Sequence, residues 1–105
     1  MRNGFNAEHW MNDGKPAGGC TYGTGFTISW QNGPLGRGEE RRAPNGAFVE
    51  DIIAAAIDRL EWYQQGEFAC VENARAILDL RRALESLNQR TQQREKRGVE
   101  GVYIK

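Results

Sequence analysis

The sequence predicts an α+β chain: a two-helix antiparallel hairpin preceded by a small N-terminal antiparallel β element, assembling into an oligomer. Three observations carry this reading. Ten of the 13 glycines lie in residues 1–46, which disfavours helix there. Two long runs after Gly46 repeat their apolar residues at threes and fours. Only 39% of 105 residues are hydrophobic, so a lone chain buries little core.

Taken in order, residues 1–46 form a Gly-rich, strand-bearing region. Its clearest element is Phe26-Thr27-Ile28-Ser29-Trp30-Gln31, whose period of two puts Phe26, Ile28 and Trp30 on one face. Asn32-Gly33-Pro34 ends it. A single strand leaves its backbone unpaired, so a partner is expected, with residues 3–7 and 99–104 as candidates and Gly19–Tyr22 leading in. The helical hairpin occupies 47–97. Its first helix spans about 47–65, on a stripe of Val49, Ile52, Ile53, Ala56, Ile57, Leu60 and Tyr63, with Asn45 as the expected cap and Gly66 as the stop. Its second spans about 71–97, on Ile77, Leu80, Leu84, Leu87 and Thr91, closed by Gly98. The second helix outruns the first by about two turns, and that overhang needs a packing partner. Residues 98–105 are a tail. The whole is expected to be one domain, 1–105.

Composition narrows the function. Lys plus Arg equals Asp plus Glu at 14 each, so no global field draws the chain to a DNA or RNA polymer or to an anionic membrane. No run of 18 apolar residues is present to span a bilayer. Two cysteines, Cys20 and Cys70, are expected to stay reduced in a cytoplasmic setting.

Local charge is less even. Arg90, Arg94 and Arg97 share one helical face, with Arg81 and Arg82 two turns back and Arg37 in the glycine-rich turn 33–38. They read either as a solvated helix end or as an anion pocket, since guanidinium forks match phosphate oxygens. The turn itself lacks the Gly-Lys-Ser/Thr ending of a phosphate loop. Trp62 and Tyr63 are adjacent, hence about 100° apart, so both cannot enter one core; one is left to cover a loop, join an interface or stack on a base. Asn73 either caps the second helix or offers its amide to a base edge.

Chemistry is sparsely provisioned. His9 is the single histidine, and no CxxC or HExxH pattern occurs. Glu50, Asp51, Asp58 and Glu61 read as a solvated face. No metal, cofactor or catalytic residue is indicated, and a binder is favoured over an enzyme.

Asn32–Gly38 (NGPLGRG), Pro44–Ile53 (PNGAFVEDII), Glu72-Asn73, Arg90-Thr91 and Arg97–Gly101 (RGVEG) resemble a bacteriophage family of anti-defence nucleotide sponges. Its helical hairpin is shared by Thoeris anti-defence and anti-CBASS proteins, and the strand-bearing N-terminal part is closer to the Thoeris branch. The resemblance covers about residues 26–101. It implies sequestration, without cleavage, of cyclic ADP-ribose isomers, typically glycocyclic ADP-ribose, in the host bacterial cytoplasm. Some members also hold cyclic di- or trinucleotides at separate pockets of a hexamer. By resemblance, Arg90 and Arg37 bind phosphate, Tyr63 stacks on adenine and Asn73 contacts the ligand; Arg94 joins them through its helical register with Arg90. The chain departs from the family after Gly101, where Val102-Tyr103-Ile104-Lys105 replaces a usual Thr-His continuation. The competing expectations are a cyclic-nucleotide hydrolase and a structural subunit. The first would require a metal cluster or positioned base; the second would not require these side chains to converge. Self-association, from dimer to hexamer, is expected because so small a chain cannot enclose such a ligand alone.

Overall fold

The computed structural model describes residues 4–98 and Val102. Along the chain come β1 (Asn6–Asn12), β2 (Lys15–Gly23), β3 (Phe26–Trp30), a single 3-10 turn at Gly38–Glu40, α1 (Val49–Gln64) and α2 (Val71–Lys96). Two compact units result. One runs through Phe48 and resumes at Gly98; the other is Val49–Arg97. The α+β class and the small antiparallel sheet are as the sequence predicts.

The first unit is a meander of strand order β1-β2-β3, antiparallel throughout. Asp13 and Gly14 both take positive φ (53° and 75°) between the paired Asn12 and Lys15, the two-residue turn whose twist suits a hairpin. Sequence expectation differs here. The partner of β3 is the full-length β2, and the strand near the N-terminus is 6–12 rather than 3–7, pairing with β2. Of the other expected partner, 99–104, all but Val102 lies outside the described residues.

The register slips between His9 and Met11, so β2 carries a bulge beside Trp10. Gly19 borders that bulge with φ +153°, and a Cβ there would lie 2.2 Å from the Glu8 carbonyl oxygen. On the next strand Trp30 pairs with Gly19, and its indole N–H donates to Thr21 Oγ1 at 2.8 Å, fixing the ring across the sheet. The outer edge of β3 is closed by a short parallel bridge to Ala47: Gln31 N–H donates to Ala47 O at 3.0 Å, and Ala47 N–H to Ser29 O at 2.7 Å.

Asn45 helps hold that bridge. Asn32 N–H donates to its Oδ1 at 2.8 Å and its Nδ2 donates to Asn32 O at 2.9 Å, while its own N–H donates to Gln31 Oε1. This corrects the expected cap: α1 begins at Val49, too far along for Asn45 to reach its free amides. The side chain closes the 32–45 loop instead.

The second unit is the helical pair. In α2 the partly buried positions Asn73, Ala76, Ile77, Leu80, Leu84, Leu87, Thr91 and Arg94 follow the predicted stripe. In α1 the stripe holds from Ile52 to Tyr63, but Val49, expected on it, is 51% exposed. Helix α1 ends two residues before Gly66, and α2 ends at Lys96 with Arg97 as its C-cap and Gly98 in the left-handed region. Glu61 and Arg81 pair across the helices at 2.6 Å, an exposed bridge of little energetic weight that marks how α2 returns along α1. Ile57, at 8% exposure, is the single buried hydrophobic among the described residues. No described helix is long and apolar enough to cross a membrane.

Gly19→Ala is expected to lower unfolding free energy by about 2–4 kcal/mol, because the new methyl meets backbone that cannot swing away. Gly25→Ala, also at positive φ but facing open space, should cost only about 1 kcal/mol. Thermal unfolding of both variants checks the difference.

Candidate functional site

The loop joining the helices is built by side-chain amides. Gln64, the last residue of α1, donates from Nε2 to Cys70 O at 3.1 Å and accepts from Cys70 N–H at 2.9 Å. The pair of bonds imitates a β-ladder step and draws the ends of α1 and α2 together. Cys70 then serves as the N-cap of α2, its Sγ accepting from Asn73 N–H at 3.4 Å. Asn73 reaches back with its side chain, Nδ2 donating to Phe68 O at 3.1 Å. Its expected capping role therefore falls to Cys70, and its amide braces the loop instead.

This bracing shapes a pocket of about 390 Å³ at the hairpin tip, lined by Trp62, Tyr63, Gln65, Gly66, Glu67 and Phe68. Trp62 is 58% exposed and Phe68 69%, whereas Tyr63 is half-buried on the helix stripe. The Trp62 and Tyr63 rings lie 5.5 Å apart, tilted by 59°. An open, aromatic-walled recess of this size accepts a planar heterocycle by stacking.

The predicted arginines lie elsewhere. At about 1.5 Å per residue, Arg90 stands roughly 25 Å along α2 from Asn73, and Arg94 one turn further. Arg90 is exposed and, among the described residues, has neither hydrogen bond nor ion pair through its guanidinium. Arg94 is half-buried on the stripe below Thr91, so it shares the face of Arg90 only in part. Arg37 belongs to the other unit, where it is exposed and precedes the 3-10 turn. Nearby, a groove of about 700 Å³ is lined by residues of the 31–45 loop, among them Gln31, Asn32, Arg41 and Arg42. Within one chain, then, Tyr63 lines the tip pocket and Asn73 braces its loop through Phe68 O, while Arg90 and Arg94 stand toward the far end of the same hairpin.

Among the described residues, no group of three or more His, Cys, Asp or Glu is placed to hold a metal ion. Both cysteines are free thiols. Cys20 faces Glu8 across the β1–β2 pair, Sγ donating to Oε2 at 3.6 Å. Partial removal from water, then the hydrogen bond and charge of Glu8, push its thiol pKa upward, which disfavours the reactive thiolate.

An aromatic tip and an arginine-bearing far end thus lie on one helical hairpin, preceded along the chain by a small antiparallel sheet. Residues 24–92 match the family described as the Acb2/Tad1 hairpin domain, and the chain belongs to that family. It is also 47% identical, over 79 residues covering 75% of its length, to Thoeris anti-defense 1 of Bacillus phage SBSphiJ7. The chain's match spans about half of that relative, 53% of its length.

The loop bracing has measurable consequences. Gln64→Ala should destabilise the hairpin by about 1–2 kcal/mol, the net worth of two hydrogen bonds. Cys70→Ala should cost about 0.5–1 kcal/mol, whereas Cys70→Ser, a stronger capping residue, should equal or exceed the parent. Urea unfolding followed by helical circular dichroism checks all three.

Proposed function

We propose that the protein is a phage anti-defence sponge that binds a cyclic ADP-ribose isomer, glycocyclic ADP-ribose in the first instance, and holds it uncleaved in the host bacterial cytoplasm. Membership of the hairpin family and the likeness to a Thoeris anti-defence protein support the biological setting. The observation that carries the site is the separation along α2. A ligand the size of cyclic ADP-ribose is far shorter than the roughly 25 Å between Asn73 and Arg90. One chain cannot engage it with both ends. A second copy, lying antiparallel, brings its Arg90 to the first copy's Tyr63 and Asn73, and by two-fold symmetry does so twice.

In that composite pocket Tyr63 stacks on adenine, and Asn73 lies beside the base or ribose. Arg90 and Arg94 of the partnering copy neutralise the pyrophosphate, and Arg37 is a further phosphate-binding arginine by resemblance to the family. The exposed, unpaired Arg90 guanidinium is suited to this role, since no internal salt bridge must be broken to engage phosphate. The scarcity of buried apolar side chains gives the same assembly a second driving force, and repetition of the dimer to a hexamer would supply further pockets for cyclic di- or trinucleotides. Release of the ligand intact, rather than its hydrolysis, is the reading that the likeness to a Thoeris anti-defence protein supports.

Arg90→Ala should weaken binding of glycocyclic ADP-ribose by roughly 30-fold to several-thousand-fold in calorimetric titration, as expected for truncating one partner of a desolvated charge pair. Arg82→Ala, on an exposed arginine whose neighbour is Asp79, serves as the control and should bind as the parent does. Tight binding by the Arg90 variant would remove the arginine from the pocket.

Sharing between copies has its own test. Chains carrying Tyr63→Ala and chains carrying Arg90→Ala are each expected to show no site of the parent's affinity. Co-refolded in equal amounts, they should regain about a quarter of the parent's sites, because half the pairs are mixed and each mixed pair has one intact pocket. Native mass spectrometry reads assembly, ligand count and ligand mass together; a monomer binding through both residues at once would overturn the proposal.

A further inference from the structure

Trp62 is the feature the proposed pocket leaves unexplained. It is a large indole, 58% exposed, at a helix end where solvation of the ring is costly. Its neighbour Tyr63 points about 100° away around the helix, yet the two rings are only 5.5 Å apart. Arg59 accounts for this. It lies three residues before Trp62 and four before Tyr63, the two spacings that bring side chains together on a helix surface. Its guanidinium carbon sits 4.6 Å from the Trp62 ring centre and 4.9 Å from that of Tyr63. Among the described residues it makes no ion pair, so these ring contacts are what fix it.

We infer that Trp62 is a second aromatic wall of the tip pocket, which a base stacked on Tyr63 meets at a slant, and that Arg59 is the positioning residue that holds the two rings at their mutual tilt of 59°. The inference rests on the proposed binding of an adenine-bearing ligand at this tip. The cation draws both rings toward itself by attraction to their electron-rich faces. Arg59 is not among the pocket's lining residues, so the rings' pocket-facing surfaces remain open. A base entering the pocket buries indole surface that water now covers, adding affinity that Tyr63 alone does not supply.

The test is a titration of the full chain with glycocyclic ADP-ribose, followed by calorimetry and by tryptophan emission. The parent should bind with partial quenching of emission. Trp62→Phe keeps an aromatic wall, so it should bind within about 3-fold of the parent but lose most of the quenching. Trp62→Ala should weaken binding about 10- to 100-fold. Arg59→Gln should weaken it roughly 2- to 5-fold with helix content unchanged, and Arg59→Lys, which retains the cation, should recover most of that loss. Parent-like affinity for Trp62→Ala, or undiminished quenching in Trp62→Phe, overturns the second wall. Equal weakening by Arg59→Gln and Arg59→Lys, or none by either, overturns the positioning role. Should Trp62→Ala fail to fold, the quenching of Trp62→Phe still decides. A parent that binds no ligand removes the proposed function itself, an outcome separate from tight parental binding that ignores Trp62.

Discussion

The reciprocal pairing of the Gln64 side chain with the Cys70 backbone is the constraint on which the helical unit depends. Six residues must turn the chain between two helices without a hydrophobic plug to fold around. The amide provides both a donor and an acceptor in one plane, so one side chain satisfies two backbone groups and sets the distance between helix ends. Cys70 can then cap α2, Asn73 can reach Phe68, and the aromatic residues of the loop are presented outward. Asn45 repeats the device in the sheet unit, closing the 32–45 loop through both backbone groups of Asn32. In each unit hydrogen bonds in exposed loops do what packed side chains do in larger proteins.

That substitution has a cost in buried surface. With Ile57 alone below the surface, the helical pair leaves Trp62, Phe68, Val71 and Leu78 substantially exposed, and the sheet leaves Phe5, Trp10, Met11 and Tyr22 so. A 105-residue chain with this distribution gains little from folding alone. In the proposed assembly, part of that apolar surface is what the second copy covers. The same reasoning links stability to function in the proposed sponge: the contact that completes each pocket also covers part of the surface that one chain cannot.

The helices were legible in the sequence because their stripes have a clear 3.6-residue period and Gly98 and the 65–70 loop interrupt it. Strand β3 was legible because Phe26, Ile28 and Trp30 alternate. Strands β1 and β2 were not, although Asp13-Gly14 is a recognised hairpin signal. Lys15–Gly23 contains a proline and three glycines, so its pairing is carried by backbone bonds and by ring contacts from β3, neither of which leaves a hydrophobic alternation to read. Asn45 misled for a related reason: an asparagine shortly before a helix has the chemistry of a cap, and only the fold shows that its target is Asn32. For the binding residues, helical spacing alone separates Arg90 from Asn73, but the cation-bound pair of rings emerges only when Arg59 is placed beside them. The Cys70 cap was missed because serine and aspartate dominate that position.

The loop closure made by Asn45 also has a chemical lifetime. Asn45 is followed by Gly46, a pairing in which the next residue's nitrogen has little steric hindrance to attack on the side-chain amide. Loss of ammonia by that route would leave a carboxylate in place of the amide. The bond from Asn32 N–H could persist, but the donor to Asn32 O would be gone and two oxygens would face one another at the distance now bridged by hydrogen. Each such event adds one negative charge to a chain whose formal charge is zero. The age of a preparation would thus be written in its isoelectric heterogeneity, to which Asn3-Gly4 and Asn32-Gly33 are open by the same route, and the species altered at Asn45 would be those whose 32–45 loop has lost its latch.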